Sequence, residues 1–151
     1  MKEDLLRSML EELFERSGER ERLIKDLQNL IYSIASEIVE NLPERTTVDI
    51  SGVGRLKIKR FKTNMGSETM LTINGEAILE GDFSPEKSFY LYNDYDCLVT
   101  VASLSDYINI ANHLPEIIQS FKVNQESIID KVRGAIDNVT QFSKMTDIPS
   151  A

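Results

Sequence analysis

The chain has 151 residues, of which 41% are apolar and 28% charged, and its net charge is -8. This length and composition predict one globular domain with its own core rather than a disordered segment. No apolar run approaches the roughly 18 residues of a membrane span, and the acidic opening Met1–Asp4 does not resemble a signal peptide. A single cysteine excludes an internal disulfide and suits a reducing compartment, so we expect a cytoplasmic protein without membrane contact.

The charge is distributed unevenly along the chain. Residues 46–66 carry five cations and one carboxylate, a local charge of +4, whereas residues 67–103 carry one cation and seven carboxylates. Because the Debye length is about 8 Å at physiological salt, such a basic stretch can act locally inside an acidic molecule. The overall negative field would still slow the approach of a polyanion.

The first 43 residues predict two helices. Apolar residues recur at helical spacing in residues 2–16, and Ser17-Gly18 provides the kind of glycine at which helices often end. A second apolar stripe runs from Glu19 to Leu42, and Pro43 stops it. At 1.5 Å per residue this second helix is roughly 36 Å long. A helix of that length suits either a subunit interface or the spine of a monomer.

A strongly basic strand follows. Thr46–Ser51 is strand-like, and Gly52-Val53-Gly54 suits a tight turn or bulge with positive φ. Five cations then fall within eight residues, at Arg55, Lys57, Lys59, Arg60 and Lys62. The first three alternate with Leu56 and Ile58, which predicts a strand with one basic, solvated face and one buried face.

The region after this strand allows two arrangements. Asn64–Ser67 can form a turn, and Asn74-Gly75 is a stronger hairpin signal because both residues tolerate positive φ. The segments Thr69–Ile73 and Glu76–Glu80 therefore belong either to a three-strand meander or to one long hairpin with its tip at Asn74-Gly75. Beyond them, Gly81–Lys87 is a predicted loop, followed by two predicted strands, Ser88–Tyr92 and Cys97–Ala102.

The last third predicts helices. Ser103 and Asp106 have the spacing of a capping box, and a helical stripe from Leu104 to Phe121 is interrupted at Pro115. Asn124 is placed to cap a last helix, Gln125–Phe142, before a loose tail at 144–151. The fold class is thus α+β, with two N-terminal helices, an antiparallel sheet of about five strands and two C-terminal helices in a single domain, 1–151.

The first half of the chain resembles the HU/IHF family of DNA-architectural proteins. The resemblance rests on the order of helix, Ser17-Gly18 turn, long helix, strand with Val48 and Ile50, Gly52-Val53-Gly54 turn and second strand. Asn74-Gly75-Glu76 resembles the turn that closes the family's β-arm. The match covers about residues 5–82, which would form an HU-like core, with 83–143 as a C-terminal strand and helix extension.

This resemblance implies an intertwined homodimer whose two β-arms enter the minor groove of double-stranded DNA and bend the duplex. On this interpretation the five cations of the basic strand contact phosphates, which position a protein without reading sequence. The alternative interpretation is structural. The same cations would then pair across the sheet with Glu68, Glu76 or Glu80.

The remaining candidate residues favour ordinary structural roles. The aromatic cluster Phe89, Tyr90, Tyr92 and Tyr95 lacks the interleaved cations of a base-stacking platform and suits sheet packing. Asp94-Tyr95-Asp96 lacks the glycine and distal glutamate of a calcium loop. Cys97 is expected in the core and His113 at a surface helix end, and no metal-ligand spacing is visible.

Two functional hypotheses follow. The chain contains no nucleophile elbow, Walker loop or dinucleotide fingerprint, so we expect a non-enzymatic protein without cofactor or metal. The first hypothesis is an HU-like protein that binds duplex DNA through the basic strand. The second is an acidic adaptor, assembly factor or inhibitor that binds a basic protein partner through its amphipathic C-terminal helices.

Overall fold

A computed structural model describes residues 1–63, 66–79 and 100–145. The elements in chain order are α1 (Lys2–Asn41), β1 (Thr47–Ile50), β2 (Gly54–Thr63), β3 (Gly66–Ile73), β4 (Glu76–Ala77), α2 (Leu104–Asn112) and α3 (Leu114–Met145). The fold is α+β with an antiparallel sheet, as the sequence predicts.

The four strands form a meander in the order β1-β2-β3-β4, with every neighbouring pair antiparallel. The central hairpin pairs β2 with β3 over eight residues, from Leu56 opposite Ile73 to Thr63 opposite Gly66. The Asn74-Gly75 turn then joins β3 to the short β4. Of the two arrangements that the sequence allows, the structure therefore adopts the meander.

The main core lies between the helices and one face of the sheet. Alternation along β2 brings Leu56 and Ile58 into this core, where both are fully buried. α1 packs on β3, α3 packs on β1, and α2 contacts both of these helices. Only part of each long helix contributes, through Ile31 and Ala35 of α1 and Ile117 and Phe121 of α3. A second, smaller cluster contains Phe61, Met70, Ala77 and Leu79.

The prediction of two N-terminal helices is wrong, because α1 runs without interruption through Ser17 and Gly18. Glycine in a helix interior costs only about 1 kcal/mol relative to alanine, too little to end a helix that is favourable on both sides. Arg16 and Glu19 also form an ion pair of 2.9 Å across this position. The sequence pattern predicts a cap at Gly18, but no competing turn stabilises one there.

The prediction of two C-terminal helices is correct in number but not in boundaries. α2 ends at Asn112 and α3 begins at Leu114, so the interruption at Pro115 is real and proline lies in the first turn of α3. The predicted restart at Asn124 is wrong, since this residue lies inside α3, where its side chain accepts a hydrogen bond from Gln125. The Ser103–Asp106 capping box is confirmed, with both reciprocal hydrogen bonds present.

Several predictions fall outside the described residues. These are the Gly81–Lys87 loop, the Ser88–Tyr92 strand, the aromatic and acidic residues from Phe89 to Asp96, and Cys97. Of the predicted strand Cys97–Ala102, the described part contains one parallel bridge, between Val101 and Ala77. The predicted tail begins too early, because Lys144 and Met145 still belong to α3.

Candidate functional site

The five predicted cations of β2 do not share one face. Arg55, Lys57 and Lys59 alternate with the buried Leu56 and Ile58, as the period-2 pattern predicts. Arg60 and Lys62 lie on the opposite face of β2 from these three, and both are exposed toward the end of the β2–β3 hairpin. Between them, Phe61 is buried in the second cluster. The basic stretch is therefore divided into a row of three on one face and a pair on the other.

Several of these cations already have intramolecular contacts. Arg55 donates to Asp49 on the paired strand at 2.9 Å, and both side chains are largely exposed. Arg60 donates to the Ser67 hydroxyl at 3.1 Å, and the Lys59 ammonium lies 5.9 Å from the centroid of the Phe61 ring.

The acids proposed as cross-strand partners are arranged differently. Glu68 lies opposite Phe61, and the Glu76 carboxyl interacts with Asp106. Glu80 lies outside the described residues. The carboxylate that pairs with Arg55 is Asp49, which the sequence does not single out, although its position in the preceding strand places it opposite Arg55 once the β1–β2 register is known.

The Gly-Val-Gly turn and the Asn-Gly turn are joined by Asn74. Gly52, Gly54 and Gly75 all have positive φ, as predicted for these turns. Asn74, also at positive φ, accepts a hydrogen bond from the Arg55 amide at 2.9 Å through its side chain and donates its own amide to the Arg55 carbonyl at 2.8 Å. The Asn74-Gly75 turn thus packs at the base of β2 and is not the tip of a projecting arm.

Asn109 of α2 and His113 at the C-terminal end of α2 contact the Gly52-Val53-Gly54 turn. Asn109 donates to the Gly52 carbonyl at 2.7 Å, and the His113 ring donates through Nδ1 to the Asn109 backbone carbonyl at 2.8 Å. His113 is half-buried against Gly52 rather than at the open surface that the sequence predicts.

A pair of carboxyl groups links β4 to α2. Partial burial, together with the hydrogen bond to Asp106 and its negative charge, raises the pKa of Glu76. Burial alone would also raise the pKa of Asp106, but hydrogen bonds from Glu76 and Ser103 outweigh it and lower that pKa. When the pair holds a single proton, these shifts favour that proton on Glu76, which then donates a hydrogen bond to Asp106.

A second polar contact lies in the main core. The Tyr107 hydroxyl donates to the Leu79 carbonyl at 3.1 Å and accepts from the Leu79 amide at 3.0 Å. Burial raises the pKa of Tyr107, and the Leu79 backbone and the nearby Gln28 amide oppose that rise. Gln28 is itself fully buried, yet neither of its side-chain polar atoms reaches hydrogen-bond geometry with a described residue.

The N-terminal part of α1 exposes an apolar face. We call residues 2–18 the α1 arm, since every one of them is exposed. Six large apolar side chains lie on one side of it, each 48–65% exposed: Leu5, Leu6, Met9, Leu10, Leu13 and Phe14. These positions have the 3–4 spacing by which amphipathic helices bury a stripe. In the chain as described, that stripe is left in solvent.

The C-terminal part of α3 has the same property. We call residues 122–145 the α3 arm, which follows Phe121, the last buried residue of the helix. Eight of its large apolar side chains are 47–85% exposed: Val123, Ile128, Ile129, Val132, Ile136, Val139, Phe142 and Met145. Since both arms are exposed, neither covers the apolar face of the other. Two helical apolar surfaces thus extend from one small core, which is unusual for a monomeric soluble protein.

Other features of the described residues suggest no chemistry. A cavity of about 210 Å³ lies between α1 and β3, with Tyr32, Glu40 and Glu68 at its walls. Within the described ranges, no three His, Cys, Asp or Glu side chains are grouped so as to hold a metal ion. None of the helices described is both long and apolar enough to cross a bilayer.

Comparisons with protein-family models, with curated proteins and with solved structures gave no match.

Proposed function

We propose that this chain is a non-enzymatic assembly protein that binds other protein helices through the apolar faces of the α1 arm and the α3 arm. The observation that carries the proposal is the exposure of fourteen large apolar side chains, six on one arm and eight on the other. Exposed contiguous apolar surface at helical spacing is typical of helix-in-groove and coiled-coil recognition.

The charge on the α1 arm favours protein over membrane as its occupant. The α1 arm carries three cations and five carboxylates, so an anionic lipid surface would repel it. Interfacial helices instead concentrate lysine and arginine on their polar face. A protein partner that binds the apolar face of a helix does not require a basic polar face.

A site-specific photo-crosslinking experiment tests this proposal. A photoreactive amino acid is placed at Leu10 or Ile136 on the apolar faces, and at Glu11 or Gln141 on the opposite faces as matched controls, in cells that produce the protein natively. Adducts are expected at Leu10 and Ile136 and not at the controls, because only the apolar faces are occupied. Equal adducts on both faces, or none on either, would overturn the proposal.

A second candidate function is binding of double-stranded DNA through β2. The observation in its favour is that Lys57 and Lys59 lie side by side on one face of β2 without an ion pair to any described residue, while Arg60 and Lys62 are exposed nearer the hairpin end. Phosphate contacts by Lys57 and Lys59 alone would give a salt slope of about -1.8 in log affinity against log salt.

Titration of a short labelled duplex across a salt series tests this candidate. Lys57→Glu with Lys59→Glu should abolish binding. Lys131→Glu with Arg133→Glu on α3 makes the same change in net charge at a distant site and should weaken binding only slightly. Equal losses in both variants would attribute the effect to net charge, and absence of binding by the wild-type chain at low salt would remove the candidate.

A further inference from the structure

We infer that the occupant of the two arms is a second copy of this chain, with the α1 arm of each copy packed against the α3 arm of the other. The inference rests on the proposed function, because it names the partner of the same two surfaces. In such a dimer the two contacts are related by twofold symmetry, and each is made twice.

The exposed area matches what a dimer needs only when both arms take part. At roughly 60 Å² of apolar surface per half-exposed side chain, the fourteen residues offer on the order of 800 Å². A specific interface takes about 800 Å² from each partner. The six residues of the α1 arm alone would supply less than half of this, so a partner that covered one arm would leave about half of the apolar surface in water.

The charges of the arms select the reciprocal pairing. The α1 arm has a net charge of -2, from three cations and five carboxylates. The α3 arm has a net charge of +1, from four cations and three carboxylates. Packing α1 on α1 or α3 on α3 would set like net charges against each other, whereas α1 on α3 sets opposite charges together. The lengths are also compatible, since 17 and 24 helical residues extend about 26 and 36 Å.

A complementation experiment tests this arrangement. One variant carries Leu10→Glu with Leu13→Glu on the α1 arm, and the other carries Val132→Glu with Ile136→Glu on the α3 arm. Each variant alone has one damaged helix in both reciprocal contacts, so each homodimer should weaken by about 100-fold or more. In a mixture of the two variants, one of the two contacts combines an intact α1 arm with an intact α3 arm. The mixture should therefore form a heterodimer.

Sedimentation equilibrium on differently tagged chains measures these outcomes, with Ser127→Glu and Gln141→Glu on the polar face of α3 as the control that should remain dimeric. A monomeric wild-type chain would overturn the inference. Variants that stay dimeric alone, or a mixture that forms no heterodimer, would also overturn the inference. If α1 packed on α1 and α3 on α3, mixing the two variants would not restore the dimer. Circular dichroism of each variant establishes that the core still folds.

The crosslinking experiment separates failure of this inference from failure of the proposed function. Adducts at Leu10 and Ile136 with the mass of two chains support a second copy. Adducts at the same positions with a different protein would support the proposed function and overturn the inference that the partner is a second copy. Absence of adducts on the apolar faces would overturn both.

Discussion

Gln28 is a buried amide whose polar atoms make no hydrogen bond with a described residue, and it lies beside a tyrosine that is fully engaged with Leu79. An unsatisfied buried polar group costs about 1–3 kcal/mol. Gln28→Met keeps the length of the side chain and removes the amide, so we expect the free energy of unfolding to rise by about 1 kcal/mol. Unfolding of the variant and the wild type in urea measures this difference in the free energy of unfolding.

The control for this substitution is Tyr107→Phe. It removes the hydroxyl that satisfies both backbone groups of Leu79 and should lower the free energy of unfolding by about 1–3 kcal/mol. A loss of stability in Gln28→Met would contradict the prediction, because it would mean that the amide has a partner that stabilises the fold.

The carboxyl pair of Glu76 and Asp106 predicts a pH-dependent stability. The pKa of Glu76 is raised, so the stability from its protonated form is complete below the unfolded pKa and is lost as pH rises through the folded pKa. Glu76→Gln retains a donor to Asp106 at every pH. We expect it to gain less than about 1 kcal/mol over wild type above the folded pKa of Glu76, and nothing at acidic pH below the ordinary glutamate range.

Unfolding of Glu76→Gln and wild type by urea at several pH values checks this, with the exposed Glu68→Gln on β3 as the control. A gain that does not change with pH would contradict the role of the shared proton. The pKa of Asp106 is lowered, and the stability it contributes is lost only as pH falls through that lowered value. The limb of the wild-type profile at lower pH therefore reports Asp106, and the limb at higher pH reports Glu76.

Residue roles that depend on local spacing were predictable from the sequence. The Ser103–Asp106 capping box, the positive φ values of Gly52 and Gly54, and the buried Leu56 and Ile58 all follow from patterns within a few residues. Asp49, Gln28 and the carboxyl pair were missed, because each role depends on a neighbour that only the folded sheet and helices bring close.

At the scale of elements, Gly18 provides a direct test of the continuous α1 helix. A Cβ atom added at Gly18 would meet no atom within 4 Å. Alanine in a helix interior is favoured over glycine by about 0.5–1 kcal/mol. Gly18→Ala should therefore stabilise the α1 arm by this amount, measured as higher helicity and slower amide exchange in residues 5–17.

Gly54→Ala is the contrasting substitution. Gly54 has φ of +121°, and a Cβ there would overlap the Asn74 side chain, so alanine should destabilise the sheet. If Gly18→Ala also destabilised the protein, Ser17-Gly18 would have to form the turn that the sequence pattern suggested, and α1 would not be continuous.

The two errors in helix boundaries have one physical origin. Gly18 and Asn124 are residues that favour caps, but a cap forms only where the chain gains by leaving the helix. Residues on both sides of Gly18 and Asn124 are good helix formers, and no competing contact draws the backbone away. Pro115 differs because its ring cannot be accommodated in a helix interior, so that break was predictable.

At the scale of the whole molecule, the sequence identified the apolar stripes but not which parts of them are buried. The spacing of Leu10 and Leu13 is as regular as that of Ile31 and Ala35, yet the first pair is exposed and the second is in the core. The apolar periodicity indicates that a helix face will be covered, but it does not indicate whether the same chain covers it. The covering surface in our inference comes from a second copy.

That inference predicts a concentration-dependent thermal stability. A dimer that unfolds to two separate chains is stabilised by mass action, so its Tm rises with chain concentration, whereas the Tm of a monomer does not. We expect the wild-type Tm to rise over a hundredfold range of concentration measured by calorimetry. The Leu10→Glu with Leu13→Glu chain should show a lower Tm that is independent of concentration, because only its core remains to unfold. A wild-type Tm without concentration dependence would mean that the apolar faces of the arms contribute nothing to the stability of the isolated protein.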